Sequence, residues 1–341
     1  MPALRTRTAR DRAPGPGLAR AFLLRWGLPI LGALTLVAGV ASLFIGAGGA
    51  VGATPDGEYG YFWTSRVPRT AALLLAGSAM ALSGMIMQML ARNRFAEPST
   101  AGTVDSATLG VLLVMAIDPG MPVPLKMLVG TVAALLGTGL FMLILRRIPL
   151  RDPLIVPLIG IMLGGVIGAL SSYLAYRLEL LQALSAMGTA NFATMIEGRY
   201  ELMWIALVLS IAAYLTADRF TVAGLGDDLT TSLGLNYGRI VAIGLLIVAM
   251  NTAIVVVHVG GIPFIGLIVP NLVAGILGDN LRRTAPWCAL LGALLVVVCD
   301  IIGRVVNWPY EIPLGLIMSV VGAAVFLAIL LSRDGRGRAH A

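Results

Sequence analysis

The chain is 341 residues long, 58% hydrophobic and 12% charged, against about 25% charged residues in a soluble globule, which excludes an ordinary soluble domain. A formal charge of +7 would point to nucleic acid only if the basic residues formed a patch. Here they sit in short gaps between apolar runs, the pattern of membrane-topology determinants. The first 25 residues carry Arg5, Arg7, Arg10, Arg12 and Arg20 among three prolines. The apolar run behind them is too long for a signal-peptide core and no small-residue cleavage site follows it. Residues 1–25 therefore read as a retained basic cytoplasmic tail. Hydropathy then marks about ten spans: 26–48, 68–91, 100–118, 122–145, 153–176, 202–217, 240–258, 261–277, 286–304 and 312–332. The expected fold is all-α and polytopic, with a transmembrane region over 26–332 and a second cytoplasmic tail at 333–341. The eighth span is short and carries Pro263 and Pro270, which break the hydrogen-bond ladder unless neighbours re-satisfy the freed carbonyls.

Orientation follows from arginine. With both termini inside, all but six of the 24 lysines and arginines fall on the inner side; the outer six are Arg66, Arg69, Lys126, Arg177, Arg199 and Arg304. Two connections are long. Residues 177–201, on the outer side, read as a partly amphipathic helix joining the fifth and sixth spans. Residues 218–239, on the inner side, place Asp227 and Asp228 before Leu229, Leu233 and Leu235, a pattern of short helices broken at Gly234.

The second span, entered through Arg66-Val67-Pro68-Arg69, is studded with small residues. Gly77, Ala81 and Gly84 share a face and would let another backbone approach closely, so this helix is expected to be buried among others. The pattern RxPR…LAGxxxALSGxxMQ…RN…AEP…G resembles the membrane permease subunits of ATP-binding-cassette importers for iron–siderophores and cobalamin, the FecCD type. The resemblance returns at GGIPFIGLIVPN (260–271) and CDIIGR…YEIPLG (299–315), and so covers most of the chain in order. It implies a type II importer permease fold working with a second permease subunit, identical or paralogous, two ATPase subunits carrying the ATP and magnesium, and an extracytoplasmic siderophore-binding protein. The setting it implies is the cytoplasmic (inner) membrane. Many relatives read RNP-L-AEP where this chain has Arg94 and Phe95, and many have a histidine where it has Asn271. Asn271 with TAGTVDSATLG and GDNLRR resembles the ferric-siderophore branch, commonly catechol-type.

No residue here suits covalent chemistry. A phosphate-cradling P-loop needs a Gly-Lys-Ser/Thr ending, and the only lysine, Lys126, lies between Leu125 and Met127. Nucleotide, if it drives transport, must bind another subunit. His258 and His340 lack a matching nucleophile or carboxylate. Cys288 and Cys299 fall in apolar surroundings with no ligand partners, so neither a metal site nor a disulfide is expected.

The resemblance assigns docking of the binding protein to Arg66, Arg69 and Arg304; read from the residues alone, arginines at span ends also snorkel to headgroups. Asp300 lies one helical turn from Arg304, so an internal ion pair competes with docking. It assigns coupling to the ATPase to Gly226, Asp227, Asp228, Leu229, Ser232, Leu233, Gly234 and Leu235, where the plain alternative is a solvated connector. Gly160, Gly164 and Gly168 form a ladder on the fifth span, and Gly315, Ser319 and Gly322 a looser one on the tenth. Helix packing explains both, and the family's translocation path runs along the same spans. Asp105, inside the third span, is either hydrogen-bonded by Thr103, Ser106 or Thr108 or acts on substrate or a proton. The alternative from a different class is an ion-coupled transporter acting alone, with Asp105 or Asp300 as its ion site.

Overall fold

The computed structural model describes residues 18–45, 62–148 and 155–338. The basic run up to residue 17 lies outside them, while the predicted C-terminal tail continues a helix through Arg338. In chain order the helices are α1 (Leu18–Phe44), α2 (Val67–Leu90, entered through a π-helical turn at Phe62–Arg66), α3 (Thr103–Ile117), α4 (Val123–Arg147), α5 (Ile155–Arg177), α6 (Leu181–Gly188) and α7 (Trp204–Leu215). There follow α8 (Ala217–Ala223), α9 (Asp227–Ser232), α10 (Tyr237–Val259), α11 (Ile265–Leu277), α12 (Leu281–Val305) and α13 (Leu314–Arg338). No strand occurs among the described residues. A helix stands in each of the predicted spans. Those in the first, second, fourth, fifth, seventh and ninth are long and apolar enough to cross a bilayer. Helices α7 and α8 form a pair bent by 61°, and α3, α11 and the apolar part of α13 are shorter.

Local sequence explains several boundaries. Pro68 and Pro124 stand in the first turns of α2 and α4, where a missing N–H costs nothing. Asn236 and Asn280 cap α10 and α12, their side-chain oxygens accepting the N–H of Arg239 (2.9 Å) and Arg283 (3.1 Å). At the α7–α8 bend the Thr216 hydroxyl donates back to the carbonyl of Ala212 (2.7 Å), an arrangement that bends helices.

Helix α2 is the axis of the bundle, lined by α12, α11, α10 and α7. Its small face does what its spacing predicts. A Cβ on Gly77 would lie 2.6 Å from the carbonyl oxygen of Gly292 in α12, and one on Gly84 would overlap the backbone of Gly266 in α11. Backbones touch at both places with no side chain between them. The connection predicted at 177–201 folds back into the bundle. The N–H of Asn191 donates to the carbonyl of Val259 (2.8 Å), that of Gly315 to Ala190 (3.0 Å) and that of Glu197 to Thr64 (2.8 Å). Phe192 and Met195, within this connection, are buried.

Candidate functional site

At one end of the bundle two of the three predicted docking arginines, Arg69 and Arg304, join Asp300 and Glu311 in one largely buried ionic cluster, with Arg66 beside it on the carbonyls that end α1. The Arg69 guanidinium donates to Asp300 (2.8 Å) and to both carboxylate oxygens of Glu311 (2.9 Å each). Arg304 pairs with the second oxygen of Asp300 at 2.6 Å, one turn away on α12, so the internal pair that competed with docking is formed. Its Nη2 also reaches the Ser42 hydroxyl (2.6 Å) and its Nη1 the carbonyls of Ser42 (3.0 Å) and Ile45. Arg66 donates to the carbonyl of Leu43 (3.0 Å). Helix α1 has no basic residue in its own last turn; Arg66 and Arg304 supply that charge from elsewhere in the chain. Side-chain exposure grades outward, from 3% for Asp300 and 4% for Arg304 to 13% for Arg69 and 23% for Glu311.

At the other end, α8 and α9 make a compact corner. Gly226 adopts φ +112°, a conformation for which glycine is suited, and starts α9 with Asp227 and Asp228 exposed in its first turn. The buried Thr230 hydroxyl bonds the carbonyls of Gly226 (2.6 Å) and Val222 (3.2 Å), tying α9 to α8. Ser232 turns its hydroxyl back to Leu229, Gly234 breaks the helix at φ +77°, and Leu235 returns its N–H to Thr230. Leu225, Leu229 and Leu233, four residues apart, are 61%, 54% and 63% exposed. These three leucines are an exposed apolar group on an otherwise polar corner.

The small residues on α5 and α13 face inward. A Cβ on Gly160 would overlap the Thr100 carbonyl, and Gly164 lies directly against the Asp105 carboxylate. Gly168 is the more open of the three, with Asp105 as its sole neighbour within ordinary contact. A Cβ on Gly315 would sit 2.8 Å from the N of Ala190, Gly322 meets the Phe264 ring, and Ser319 bonds the carbonyl of Gly315 (2.7 Å). The hydroxyl cradle expected around Asp105 is not formed. Ser106 donates to the Gly102 carbonyl (2.7 Å) and Thr103 pairs with Thr138 (2.7 Å), because neighbours along a helix point to different faces. Asn271 is structural, its amide donating to the carbonyls of Arg94 and Leu267 (2.7 Å each). Cys288 and Cys299 are separate buried thiols.

Two acidic residues were missed from sequence, although both stand inside the quoted motifs. Glu311, in YEIPLG, completes the arginine cluster. Glu97, in AEP, is buried, accepts the Ser99 hydroxyl, and lies with its carboxylate against Gly266 at the start of α11, 3.3 Å from where a Cβ there would stand.

Residues 28–332 match the FecCD transport family. The chain is 43% identical to the petrobactin import system permease protein YclN of Bacillus subtilis over 81% of its own length and 87% of that protein. It is 41% identical to the petrobactin import system permease protein FatD of Bacillus anthracis, over 90% and 92%. With the ferric-anguibactin transport system permease protein FatD of Vibrio anguillarum it shares 40% identity over 78% and 85%. Among solved structures, an inward-facing putative metal-chelate type ABC transporter superimposes with a TM-score of 0.76 at 23% identity, covering 90% of this chain and 99% of that one, a likeness of fold. Multi-pass helical architecture, ordered motifs and these relatives agree: the chain belongs to the FecCD transport family.

Proposed function

We propose that this chain is a permease subunit of an ABC importer, carrying a ferric siderophore of the petrobactin and anguibactin kind across the cytoplasmic membrane. Both termini face the cytoplasm and about ten helices cross the bilayer. The observation that carries the coupling half of this reading is the exposed row Leu225–Leu229–Leu233 on α9 and its approach. Leucines held outward by a rigid, hydrogen-bonded corner suit a cleft in a separate ATPase, which binds the ATP and magnesium. The chain holds no nucleotide and performs no covalent step. Docking of the binding protein falls to the opposite end. There Arg66 and Arg69 stand nearer the surface, and Arg304 holds Asp300 and α1 in place behind them. An incoming carboxylate competes with Glu311, the most exposed acid of the cluster, for Arg69. With the α5 glycines occupied by α3 and its approach, the path belongs to the other face of α5, where Ile161, Met162 and Val166 are exposed toward a second permease subunit.

Vesicles holding the assembled complex test this. Uptake of iron-loaded petrobactin should require internal MgATP and external binding protein, and Leu233→Glu should reduce co-purification of the ATPase while the permease still inserts. Uptake by the isolated chain under a proton gradient, or unchanged ATPase association in Leu233→Glu, would overturn the assignment.

A further inference from the structure

The twelve residues between α2 and α3 touch the α8–α9 corner, α11, α13 and α5. Arg92 leaves the end of α2 on a left-handed backbone, φ +48°, and its Nη1 lies 3.3 Å from where a Cβ on Gly226 would stand. It lines two clefts beside the α8–α9 corner, one shared with Thr221 and Leu225, the other with Asp227 and Tyr237. The Arg94 carbonyl receives Asn271 of α11, and its guanidinium pairs with Asp279 just past the end of that helix at 2.7 Å. Phe95 stands edge-on to Phe326 of α13, ring centres 5.9 Å apart. The Glu97 carboxylate lies against Gly266 at the start of α11, and the Thr100 carbonyl fills the notch at Gly160 of α5.

Helix α11 is thus held at both ends by one short connection. It begins at Phe264, a non-glycine residue at φ +63° whose side chain provides no cap, and the buried Glu97 carboxylate, from a distant part of the chain, stands beside that uncapped end. Where α11 crosses α2 the backbones meet at Gly266 and Gly84, and the buried Gln88 side chain of α2 donates to the Gly266 carbonyl (3.0 Å). A short helix that one connection touches at both ends can move as a body with that connection.

Building on the reading of 218–239 as the ATPase seat, we propose that residues 91–102 are the lever that carries displacement of that seat into the membrane spans. Arg92 takes up the movement at Gly226, and Glu97 and Arg94 impose it on α11. Arg92 is exposed and, among the described residues, makes no ion pair, so its replacement leaves the fold intact and isolates the transmitted movement. Arg92, Arg94 and Glu97 act as positioning residues.

The test uses the whole complex with spin labels at Gly275→Cys on α11 and Gly139→Cys on α4, positions where an added side chain meets nothing within 4 Å. The distance between labels is measured with and without a non-hydrolysable ATP analogue. The parent pair should change distance on adding the analogue. Arg92→Ala should keep the nucleotide-free distance and the bound ATPase but lose the change, Arg92→Lys should restore it, and Glu97→Gln should also lose it. If Glu97→Gln fails to accumulate, Ser99→Ala, which removes a single donor, should diminish the change. A parent pair that does not respond, or a full response in Arg92→Ala, overturns the lever. Failure of the ATPase seat itself shows separately, as unaltered ATPase association in Leu233→Glu.

Discussion

Asp300 is the residue on which the arginine cluster turns, since it answers both Arg69 and Arg304 while itself 3% exposed. Removing one member of a buried pair leaves an uncompensated charge. Asp300→Ala should therefore lower stability by roughly 3–5 kcal/mol, seen as an earlier thermal transition of the purified protein. Replacing the pair together, Asp300→Leu with Arg304→Met, should lose less, because Arg69 retains Glu311. Glycine positions separate just as sharply. Gly84→Val drives a side chain into the backbone of Gly266 and should cost about 1–3 kcal/mol or prevent assembly. Gly275→Ala, with open space around it in α11, should gain about 0.5–1 kcal/mol. The charge of Asp300 and the small face of α2 were legible from spacing alone. Partners far along the chain were not: nothing local in Glu97 or Glu311 says which distant backbone or guanidinium it meets.

Among the elements, α9 shows how a six-residue helix is made to hold its shape. Its six residues are too few to be stable alone, so the corner depends on the buried Thr230 hydroxyl bridging two carbonyls. Thr230→Val keeps the shape and deletes those bonds; it should cost about 1–2 kcal/mol and speed amide exchange across 222–235. Leu229→Asp, on the exposed face, should shift stability by less than about 0.5 kcal/mol while weakening ATPase association. Sequence placed these short helices and their glycine breaks because Asp, Gly and leucine spacing are local signals. The inward orientation of the α5 glycines was not legible, since a GxxxGxxxG ladder has the same spacing whether it meets another helix of its own chain, a second subunit or a cargo. The structure puts Thr100 and Asp105 there.

For the whole molecule, hydropathy located a helix in every predicted span, and arginine placement set the expected sidedness. Chemical labelling checks that sidedness directly, since Cys288 and Cys299 are buried. Exposed single cysteines at Thr231 and Ser185 should react with a membrane-impermeant maleimide from opposite faces, Ser185→Cys from outside intact cells and Thr231→Cys only after the membrane is opened. The same face for both would reverse the topology. The burial of Glu97 against the start of α11 also bears on how the polypeptide is made. Glu97 leaves the ribosome long before Gly266 exists to cover it. During synthesis that carboxylate must wait beside lipid or translocon, hydrated or neutralised, until α11 arrives. A nascent chain arrested after α10 therefore lacks the groups its own acid requires. The early helices are not a self-sufficient half, and the protein is completed only when its late segments close over what the early ones left exposed.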